Sequence, residues 1–441
     1  MSRRWVDANL RQESAALSDS VTSVVITGLG PVTGVGVGVD ALWSSLLGSR
    51  TNVTSRTLTI DLGRASDVPL VGLGGVDSAP GLEPHLAFLA EQDCEGHRDL
   101  AYALLAMELA LGDAGLRYDH DDNTIGVVQA FEAPGAECTV SKLFELMSGP
   151  PPTDGPPPVY ELLAPCFYNS QPFVYVHLAG KALGLHGFST SVHNACASGA
   201  FALEVAAERI RSGTAEAMIV VGGEAFDTGV RLEWFRRLGL YAAEPSAMRP
   251  FDTQSGGFYV GEGGAAIVLE SAASAARRGA RAYAEYLGGS FTHQAWKQTI
   301  PDVRAARLHH RIGEVLSRCG RSPVDIDFVV PHGAATQLSD GYEAASLRSA
   351  LGEGDALAAA FKPYVGHMLA ASGIVDLICG LLAMKHQTVP STPNARADHT
   401  SLHVPLATEP TAHAIGTMLK LSTGFTGHDA ASLFGRVPDG W

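Results

Sequence analysis

Cys196 is the residue whose setting most clearly suggests nucleophilic chemistry. It lies in the segment HNACASGA, directly before a helix predicted over residues 197–212. A thiolate there would face unpaired backbone N–H groups and the positive end of the helix dipole, which is expected to lower its pKa. The thiolate is the reactive form of cysteine. From this segment alone, Cys196 could equally be a small buried apolar residue, and the other five cysteines lack this context.

Two histidines and a lysine far along the chain extend the candidate set. His332 follows the apolar segment IDFVV in PHGAATQLSD, and His367 lies in FKPYVGHMLAASG, on a turn before an apolar helix. Lys362 precedes His367 by five residues. Strand-to-helix junctions are where active-site residues collect in layered α/β folds. One such histidine alone is more often structural, but the four residues together form a coherent catalytic set.

The pattern of apolar segments predicts the elements that must bring these residues together. Continuously apolar strands alternate with helices, which is typical of sheets covered on both faces by helices. Two series of such elements follow one another, with a join near Ser271. The predicted strands are 24–30, 125–131, 217–223, 263–270, 280–289 and 326–330, and the predicted helices are 40–47, 100–114, 197–212, 304–319, 342–351 and 369–385.

The same pattern divides the chain into three parts. Residues 1–22 are polar and predict a loose N-terminal arm, residues 23–271 form a half with Cys196, and residues 272–441 form a half with both histidines. The halves differ too much in sequence to establish an internal repeat from the letters. The proline-rich segment GPPPTDGPPP, residues 149–158, can form neither a helix nor a central strand, and it predicts an inserted surface loop.

Composition excludes several classes of function. The chain has 441 residues, of which 46% are apolar and 17% charged, so a large folded core is expected. Its net charge of −15 argues against non-specific nucleic-acid binding. Six scattered cysteines without a C-x-x-C pair, and an N-terminus without a signal-peptide pattern, favour a cytoplasmic location. The most membrane-like window, residues 368–384, is interrupted by Asp376 and is predicted to be too short to span a bilayer.

Motifs for bound cofactors and metals are missing from the sequence. The segment GLGPVT, residues 28–33, partly matches a dinucleotide fingerprint, but it lacks the third glycine, and Pro31 removes an N–H that phosphate would need. The chain has no Walker lysine–serine pair, no H-E-x-x-H and no cysteine–histidine spacing suited to zinc. The sequence therefore predicts neither a metal site nor a cofactor bound by the chain itself.

Six segments in order resemble the β-ketoacyl synthases of the thiolase superfamily, the condensing enzymes of fatty-acid and polyketide assembly. Synthases that initiate chains place an asparagine where His367 lies, so the resemblance implies the elongating Cys–His–His branch. The inactive chain-length partners of two-chain polyketide synthases lack the nucleophile, whereas Cys196 is present here. The segments run from about Val24 to Phe434 and are VVITGLGPVTGVG, ACASGA, MRPFDTQSGGFYVGEGGAAIVLE, PHGAATQLSDGYEA, KPYVGHMLAASG and STGFTGHDAA.

The resemblance implies a fold, a substrate carrier and partners. The expected fold is the α/β thiolase-like fold, with two similar halves in a five-layered α-β-α-β-α arrangement. Substrates would arrive on the phosphopantetheine arm of an acyl carrier protein. The chain would form a homodimer, or a heterodimer with a homologue that resembles a chain-length factor, and it would bind neither nucleic acid nor a membrane.

The resemblance also implies a decarboxylative Claisen condensation. Cys196 would take up an acyl group, and the backbone N–H groups of Cys196 and Phe425 would form the oxyanion hole. His332 and His367 would donate hydrogen bonds to the enolate that forms when a malonyl thioester loses carbon dioxide. The enolate would then attack the acyl-cysteine.

Further residues have supporting roles in the resemblance. Lys362 is expected to pair with Glu343 and to hold the second histidine segment, as catalytic support rather than as the base. Phe425 would act as a gate over the acyl pocket. Thr336 and Asp340 are the remaining supporting residues.

Several residues depart from the family's pattern. Ala334 stands where a threonine is usual, so one hydroxyl that would bind the phosphopantetheine arm is missing. Thr426 and Asp429 replace a glycine and an asparagine, and Thr426 falls where a positive φ is expected. These departures favour a specialised polyketide-type or fatty-acid synthase over a housekeeping enzyme. Two alternatives stay open: an acyltransferase that uses Cys196 without decarboxylation, and a non-catalytic partner subunit.

Overall fold

The structure covers most of the chain. The predicted arm at residues 1–22, apart from its last residue, and the proline-rich segment at 149–158, apart from Gly149, lie outside the described residues. The computed structural model describes residues 22–61, 63–73, 79–116, 124–149, 159–304, 307–352, 354–396, 398 and 400–438.

The first part of the chain, up to Ser271, alternates strands with helices. The strands are β1 (Val24–Thr33), β2 (Gly36–Val37), β3 (Val53–Asp61), β4 (Arg64–Val71), β5 (Ile125–Ala130), β6 (Ser189–Val192), β7 (Ala217–Glu224), β8 (Val260–Gly261) and β9 (Gly263–Ser271). The helices are α1 (Val39–Leu47), α2 (Leu82–Ala90), α3 (Arg98–Ala114), α4 (Ala136–Ser148), α5 (Val159–Asn169), α6 (Pro172–Leu183), α7 (Ser198–Arg211) and α8 (Val230–Arg237).

The second part of the chain repeats this alternation. The helices are α9 (Ala272–Arg277), α10 (Arg307–Arg318), α11 (Gln337–Leu351), α12 (Lys362–Val365) and α13 (Ser372–His386). The strands are β10 (Ala284–His293), β11 (Phe328–Val330), β12 (Leu357–Ala358), β13 (Thr388–Val389), β14 (Thr411–Ala412), β15 (Thr417–Gly424) and β16 (His428–Gly435). All the strands and helices predicted from the apolar pattern are present, with ends that differ by a few residues.

Both parts of the chain have the same sheet topology. Ten strands follow the order β12-β11-β15-β16-β10-β1-β9-β7-β5-β6. When the five strands of each part are numbered in chain order, their order in the sheet is 3-2-4-5-1 in both parts, read from the outer edge to the junction between the parts. Along this order, the first three strands are parallel to one another, the fourth (β9 or β16) is antiparallel to both of its neighbours, and the last (β1 or β10) again runs parallel to the first three. The groups meet where β1 pairs with β10 through three residue pairs. The repeat that the letters could not establish is therefore present in the topology.

Alternation along the strands divides the core into layers. Val128 and Val220 belong to a core with residues of α7 and α13, whereas their neighbours Val127 and Val221 belong to a core with α3 and α6. Strands of the second part likewise divide between α7 and α13 on one face and α10 and α11 on the other. Successive side chains of a strand point to opposite faces, so the two five-stranded groups form two sheet layers between three helical layers. The five-layered thiolase-like arrangement is confirmed.

The two central helices touch through glycine. A Cβ added at Gly199 in α7 would lie 2.8 Å from Ile374 Cγ1 and 3.0 Å from Ile374 N in α13, so a larger side chain would push the helices apart. The small residues after Cys196 therefore serve helix packing, beyond the substrate access expected from the sequence. This contact fixes α7 of the first half against α13 of the second.

The apolar helix at residues 368–384 lies inside the fold. A helical stretch of 18 residues, Leu369–His386, is long and apolar enough by composition to cross a membrane, so the expectation that it is too short was wrong. It is nevertheless 89% buried among the other elements. The stretch is a core helix preceded by one turn of 3₁₀ helix, Leu369–Ala371.

Strands β6, β15 and β16 and helices α2 and α8 were not predicted from the sequence, and two larger regions were also missed. The hairpin β3–β4 joins β8 in a separate three-stranded sheet, and β3 is mostly exposed and polar, so it lacks the apolar run that marked the other strands. Helices α4 to α6 lie between β5 and β6, and they flank the proline-rich segment whose insertion had been expected.

Candidate active site

Residues predicted from distant segments line one cavity of about 190 Å³. Cys196 comes from the turn before α7, His332 from the loop after β11, and His367 from the turn before α13. Thr336 and Phe425 line the same cavity. Most of the remaining wall is apolar, and it includes Phe235, Leu238, Leu240, Phe258, Ile300, Leu338 and Leu369. The structure therefore brings the three reactive side chains of the candidate set to a shared space.

A tight turn presents Cys196. Ala195 has a φ of 50°, which is uncommon for a residue with a side chain. Ser198 Oγ donates to the Ala195 carbonyl at 2.6 Å and accepts from the Asn194 N–H at 2.8 Å, and these bonds hold the turn. The helix begins at Ser198 with Ala197 as its N-cap, one residue later than predicted. The thiol thus lies just before the helix, at 6% exposure.

The environment of Cys196 raises the pKa of its thiol, so the expectation of a lowered pKa was wrong. Burial is the largest cause, the Glu132 carboxylate adds to it, and the positive charge of Lys362 opposes both. The free-energy penalty of taking a thiolate out of water is larger than the stabilisation that the N-terminus of one helix provides. Cys196 is therefore a neutral thiol at rest, and its proton must be transferred when it reacts.

Hydrogen bonds fix which nitrogen of His367 carries its proton. The Leu369 N–H donates to Nδ1 at 3.1 Å, and Ser372 Oγ lies 2.8 Å from the same atom. Because a backbone N–H can only donate, Nδ1 is an acceptor and the proton of the neutral ring lies on Nε2. The backbone of His367 is held as well, since its N–H donates to the Tyr259 carbonyl at 2.8 Å. The ring offers an Nε2–H donor in the cavity.

Glu343 of α11 fixes the backbone that carries His332. Its two oxygens accept from the His332 N–H at 2.6 Å and the Gly333 N–H at 2.9 Å. The His332 and His367 rings lie 5.5 Å apart between centroids, with planes at 74°. Two ring donors can therefore approach one small polar group from different directions.

Lys362 pairs with Asp376 of α13. Its Nζ donates to Asp376 Oδ2 at 2.6 Å and to the His332 carbonyl at 2.5 Å, and both ionic side chains are almost completely buried. The predicted pair of Lys362 with Glu343 was wrong, because the Glu343 oxygens accept the two backbone N–H groups. Lys362 instead ties the His332 loop to α13, next to the segment that holds His367.

Asp340 lies outside the lining of the cavity, whereas Thr336 is part of it. Asp340 Oδ2 accepts from the Phe251 N–H at 2.7 Å, and burial raises the pKa of this carboxyl to about 8. Its observed contact is with the protein's own backbone. Asp340 therefore ties α11 to the backbone at Phe251, and Thr336 occupies the N-cap position of α11 without a side-chain cap hydrogen bond.

Phe425 lies at the end of β15, in the short 3₁₀ turn Phe425–Gly427, and packs against two aromatic residues of α8. Its ring centroid lies 5.8 Å from Trp234 and 6.3 Å from Phe235. The next residue, Thr426, has a φ of 63°, which confirms the positive φ expected there. A side chain strains this conformation, so the turn that carries Phe425 is stiffer than one with glycine.

Asp429 is a buried acid at a position where a neutral amide was expected. Its Oδ2 accepts from Gln294 Nε2 at 2.7 Å and from the Tyr342 hydroxyl at 2.8 Å. Burial raises the pKa of Asp429 to about 6, and the two hydrogen bonds only partly oppose this. The carboxylate is therefore held in its charged form at neutral pH at a cost to stability.

We expect Asp429→Asn to stabilise the protein above pH 6. The folded state binds the Asp429 proton more tightly than the unfolded chain does, so the wild type loses stability as the pH rises from about 3.8 to about 6. The gain from the variant is roughly 3 kcal/mol at pH 8 and about half of that at pH 5. Urea unfolding at the two pH values measures it. An equal gain at both would show that packing, rather than charge, is responsible.

Three site residues were missed by sequence reasoning: Glu132, Asp376 and Lys420. Asp376 was seen only as an interruption of an apolar helix, although a charge there already requires a buried partner. Lys420 is likewise a charged residue inside an apolar segment, the strand β15. Burial lowers the pKa of Lys420 to about 8, and its Nζ lies 3.8 Å from Asp376 Oδ2. Glu132 lies two residues after the end of strand β5, at the kind of strand end that drew attention to His332.

Metal ligation was also considered. Across the described ranges, His, Cys, Asp and Glu side chains form no group of three or more that could hold a metal ion. The chemistry offered by the cavity is that of a thiol with two imidazole donors.

Comparison with known families gives two adjoining matches. Residues 22–275 match the family model described as beta-ketoacyl synthase, N-terminal domain. Residues 283–396 match the model described as beta-ketoacyl synthase, C-terminal domain. The first match contains Cys196, and the second contains His332, Lys362 and His367.

Individual relatives agree with these matches. The 3-oxoacyl-[acyl-carrier-protein] synthase 2 of Mycobacterium bovis is 34% identical over 269 residues, which are 58% of this chain, and the chain spans 64% of that relative. The "Oxytetracycline polyketide putative beta-ketoacyl synthase 1" of Streptomyces rimosus is 28% identical, over 92% of this chain and 96% of the relative. The solved structure of the ishigamide ketosynthase/chain length factor superposes with a TM-score of 0.79 at 25% identity, covering 95% of this chain and all of that one.

Proposed function

The chain belongs to the β-ketoacyl synthase family, and we propose that it condenses a malonyl unit with an acyl chain held on Cys196. One observation carries the proposal: Cys196, His332 and His367 line a single cavity although 171 residues separate the first from the last. The nucleophile motif comes from one half of the fold, and both donor imidazoles come from the other.

The first step is transfer of the acyl group to Cys196. The thiol sulfur attacks the carbonyl carbon of an acyl thioester, the thiol proton passes to the departing carrier sulfur, and a new thioester forms on Cys196. The oxygen of the tetrahedral intermediate would be held by the N–H groups of Cys196 and Phe425. A Cβ added at Gly424 would lie 3.3 Å from Cys196 N, so the segment with Phe425 runs directly beside the nucleophile.

The second step is decarboxylation of the malonyl thioester. The bond to the carboxylate breaks, carbon dioxide leaves, and the electron pair forms an enolate whose negative charge lies on the thioester oxygen. The Nε2–H of His367 donates to that oxygen, and His332 offers a second donor. The enolate carbon then attacks the acyl-cysteine, a carbon–carbon bond forms, and the Cys196 thiolate leaves and regains a proton.

The histidines set the expected pH dependence of this step. Burial, together with the positive charge of Lys362, lowers the pKa of His332 and His367 well below 6.5. Both rings are therefore neutral between pH 6 and pH 8, and we expect no fall in malonyl decarboxylation across that range from histidine protonation. Carbon dioxide release measured at a series of pH values tests this. An acid limb with its midpoint near 6.5 would contradict it.

The substrates are proposed to arrive on the phosphopantetheine arm of an acyl carrier protein in the cytoplasm. The mycobacterial relative is named for an acyl carrier protein, and the Streptomyces relative is named for a polyketide. The ishigamide structure pairs a ketosynthase with a chain length factor. This pairing supports a heterodimer as the alternative to a homodimer. The halves would divide as residues 23–271 and 272–441, since β9 ends at Ser271.

Intact-protein mass spectrometry after incubation with a panel of acyl carriers tests the proposal. We expect one acyl mass to be added to the wild type and to Cys319→Ala, which removes a half-buried thiol, and none to Cys196→Ala. No added mass with any acyl carrier would favour the non-catalytic partner subunit. Acylation without carbon dioxide release from malonyl carrier would favour the acyltransferase, which the loss of a hydroxyl at Ala334 keeps open.

A further inference from the structure

Glu132 is an acidic residue in the wall of an otherwise mostly apolar cavity. It lines the same cavity as Cys196. Its Oε2 is buried and has no hydrogen-bond partner among the described residues. Buried polar atoms are nearly always hydrogen-bonded, and leaving one unpaired costs stability. An unpaired carboxyl oxygen beside a nucleophile therefore calls for a partner that arrives with the substrate.

The charges around Glu132 favour a hydrogen-bond donor as that partner. The nearest cation, Arg231, already bonds Glu137 Oε1 at 2.7 Å and Glu224 Oε1 at 2.6 Å. One guanidinium thus bonds two carboxyl groups and acts on a third, Glu132, only through its charge. Burial raises the pKa of Glu132, and it raises that of Glu224 to about 8, even though Arg231 opposes both shifts. The region is short of positive charge, although Arg231 Nη1 is itself buried without a hydrogen-bond partner among the described residues and is the donor that a substrate group would have to outcompete.

Glu137 shows what a structural carboxylate looks like in the same region. Its Oε1 accepts from Arg231 Nε, and its Oε2 accepts from both the N–H and the hydroxyl of Thr228, at 2.8 and 2.9 Å. Both oxygens are used within the fold. Glu132 lies close enough to Arg231 to feel its charge, yet it is not bonded to it. The contrast separates Glu132 from Glu137. Asp340 and Asp376 also leave one buried oxygen unpaired, but neither lines the cavity, whereas Glu132 does.

We propose that Glu132 recognises a hydrogen-bond donor, a hydroxyl or an ammonium group, on the acyl chain that Cys196 carries. This inference rests on the proposed function. The donor belongs to the acyl chain rather than to the malonyl unit, because the malonyl carboxylate would be repelled by a second carboxylate. The charge of Glu132 also acts on the Cys196 thiol, so the subsite lies near the attachment point of the chain.

Competition between matched acyl thioesters of pantetheine tests the inference. Three chains of equal length carry a methyl, a hydroxyl or an ammonium group at the same position, with that position varied along the chain. The rate of Cys196 acylation is followed by intact mass. We expect the wild type to take up the best hydroxyl or ammonium chain about tenfold faster than the methyl chain.

Variants of Glu132 assign the preference to this side chain. Glu132→Gln keeps the shape and one acceptor oxygen, so it should retain the hydroxyl preference and lose the ammonium preference. Glu132→Leu should lose both and take up the methyl chain fastest. Glu145→Gln, which removes an exposed carboxylate of α4, is the charge-matched control and should behave as the wild type. Thermal unfolding confirms that each variant is folded, and the near-isosteric glutamine variant carries the test if leucine is not tolerated.

The outcomes distinguish this inference from the proposed function. If no thioester acylates Cys196 in the wild type, the proposed function fails, and the inference falls with it. If the methyl chain is taken up as fast as every donor-bearing chain, the proposed function stands and the inference is overturned. A donor preference that survives unchanged in Glu132→Leu would also overturn it, because another residue would then be responsible.

Discussion

Replacing Cys196 with alanine abolishes condensation and leaves decarboxylation in place. The variant lacks the atom that carries the acyl chain, so we expect formation of the β-ketoacyl product to fall by about 10³-fold or more. The donors for the enolate, His332 and His367, belong to the other half of the fold and keep their contacts. Malonyl carrier should therefore still lose carbon dioxide. Product formation by mass spectrometry and release of labelled carbon dioxide measure the two activities separately.

The matched control is Cys379→Ala, which removes a buried thiol from α13 without touching the cavity lining. It should condense at close to the wild-type rate. Condensation that persists in Cys196→Ala would show that the acyl chain is not held on this sulfur. Loss of decarboxylation in the same variant would show that the histidines depend on the thiol, and that the two steps are not separable as proposed.

Replacing Lys362 with methionine should produce the largest loss of stability. The variant leaves the Asp376 carboxylate buried, with Lys420 Nζ at 3.8 Å as its remaining cation. Removing one partner of a buried ion pair costs about 3–5 kcal/mol. The variant also removes the donor to the His332 carbonyl, so decarboxylation should fall even in the folded fraction. Urea unfolding and carbon dioxide release measure the two effects.

A second variant separates charge from position. Lys362→Met combined with Asp376→Asn removes both charges, so most of the lost free energy of unfolding should return. Decarboxylation should stay low, because the His332 carbonyl still lacks the Nζ donor. If Lys362→Met alone is as stable as the wild type, the buried pair does not contribute as the geometry indicates. Recovery of activity in the double variant would show that Lys362 acts through its charge balance alone.

Local patterns in the sequence were sufficient for many of the strands and helices and for the candidate reactive residues, whereas the five-layered arrangement was expected from the resemblance to a known family. Apolar strands ending in glycine predicted the sheets, and Cys196, His332 and His367 each lay in a recognisable segment at the end of a strand or the start of a helix. These features depend on residues adjacent in the chain. They require no knowledge of what packs against them.

The features that the sequence did not predict depend on distant neighbours. Glu343 was predicted to be the partner of Lys362. The Glu343 oxygens instead accept hydrogen bonds from backbone N–H groups, and α13 places Asp376 beside Lys362. The direction of the Cys196 pKa was wrong because the start of a helix is a local feature, whereas burial and the Glu132 charge come from elements far apart in sequence. The exposed, polar strand β3 lacked any pattern that would mark it.

The matching strand order of the two halves has a chemical consequence. Both halves have the same strand order, but under the proposed function they contribute different groups: one supplies the thiol that is acylated, and the other supplies the two imidazole donors. Neither half holds the complete set, and α7 of one packs against α13 of the other where Gly199 approaches Ile374. Under the proposed function, catalysis depends on the contact between two related units, and a side chain added at Gly199 would disturb that contact.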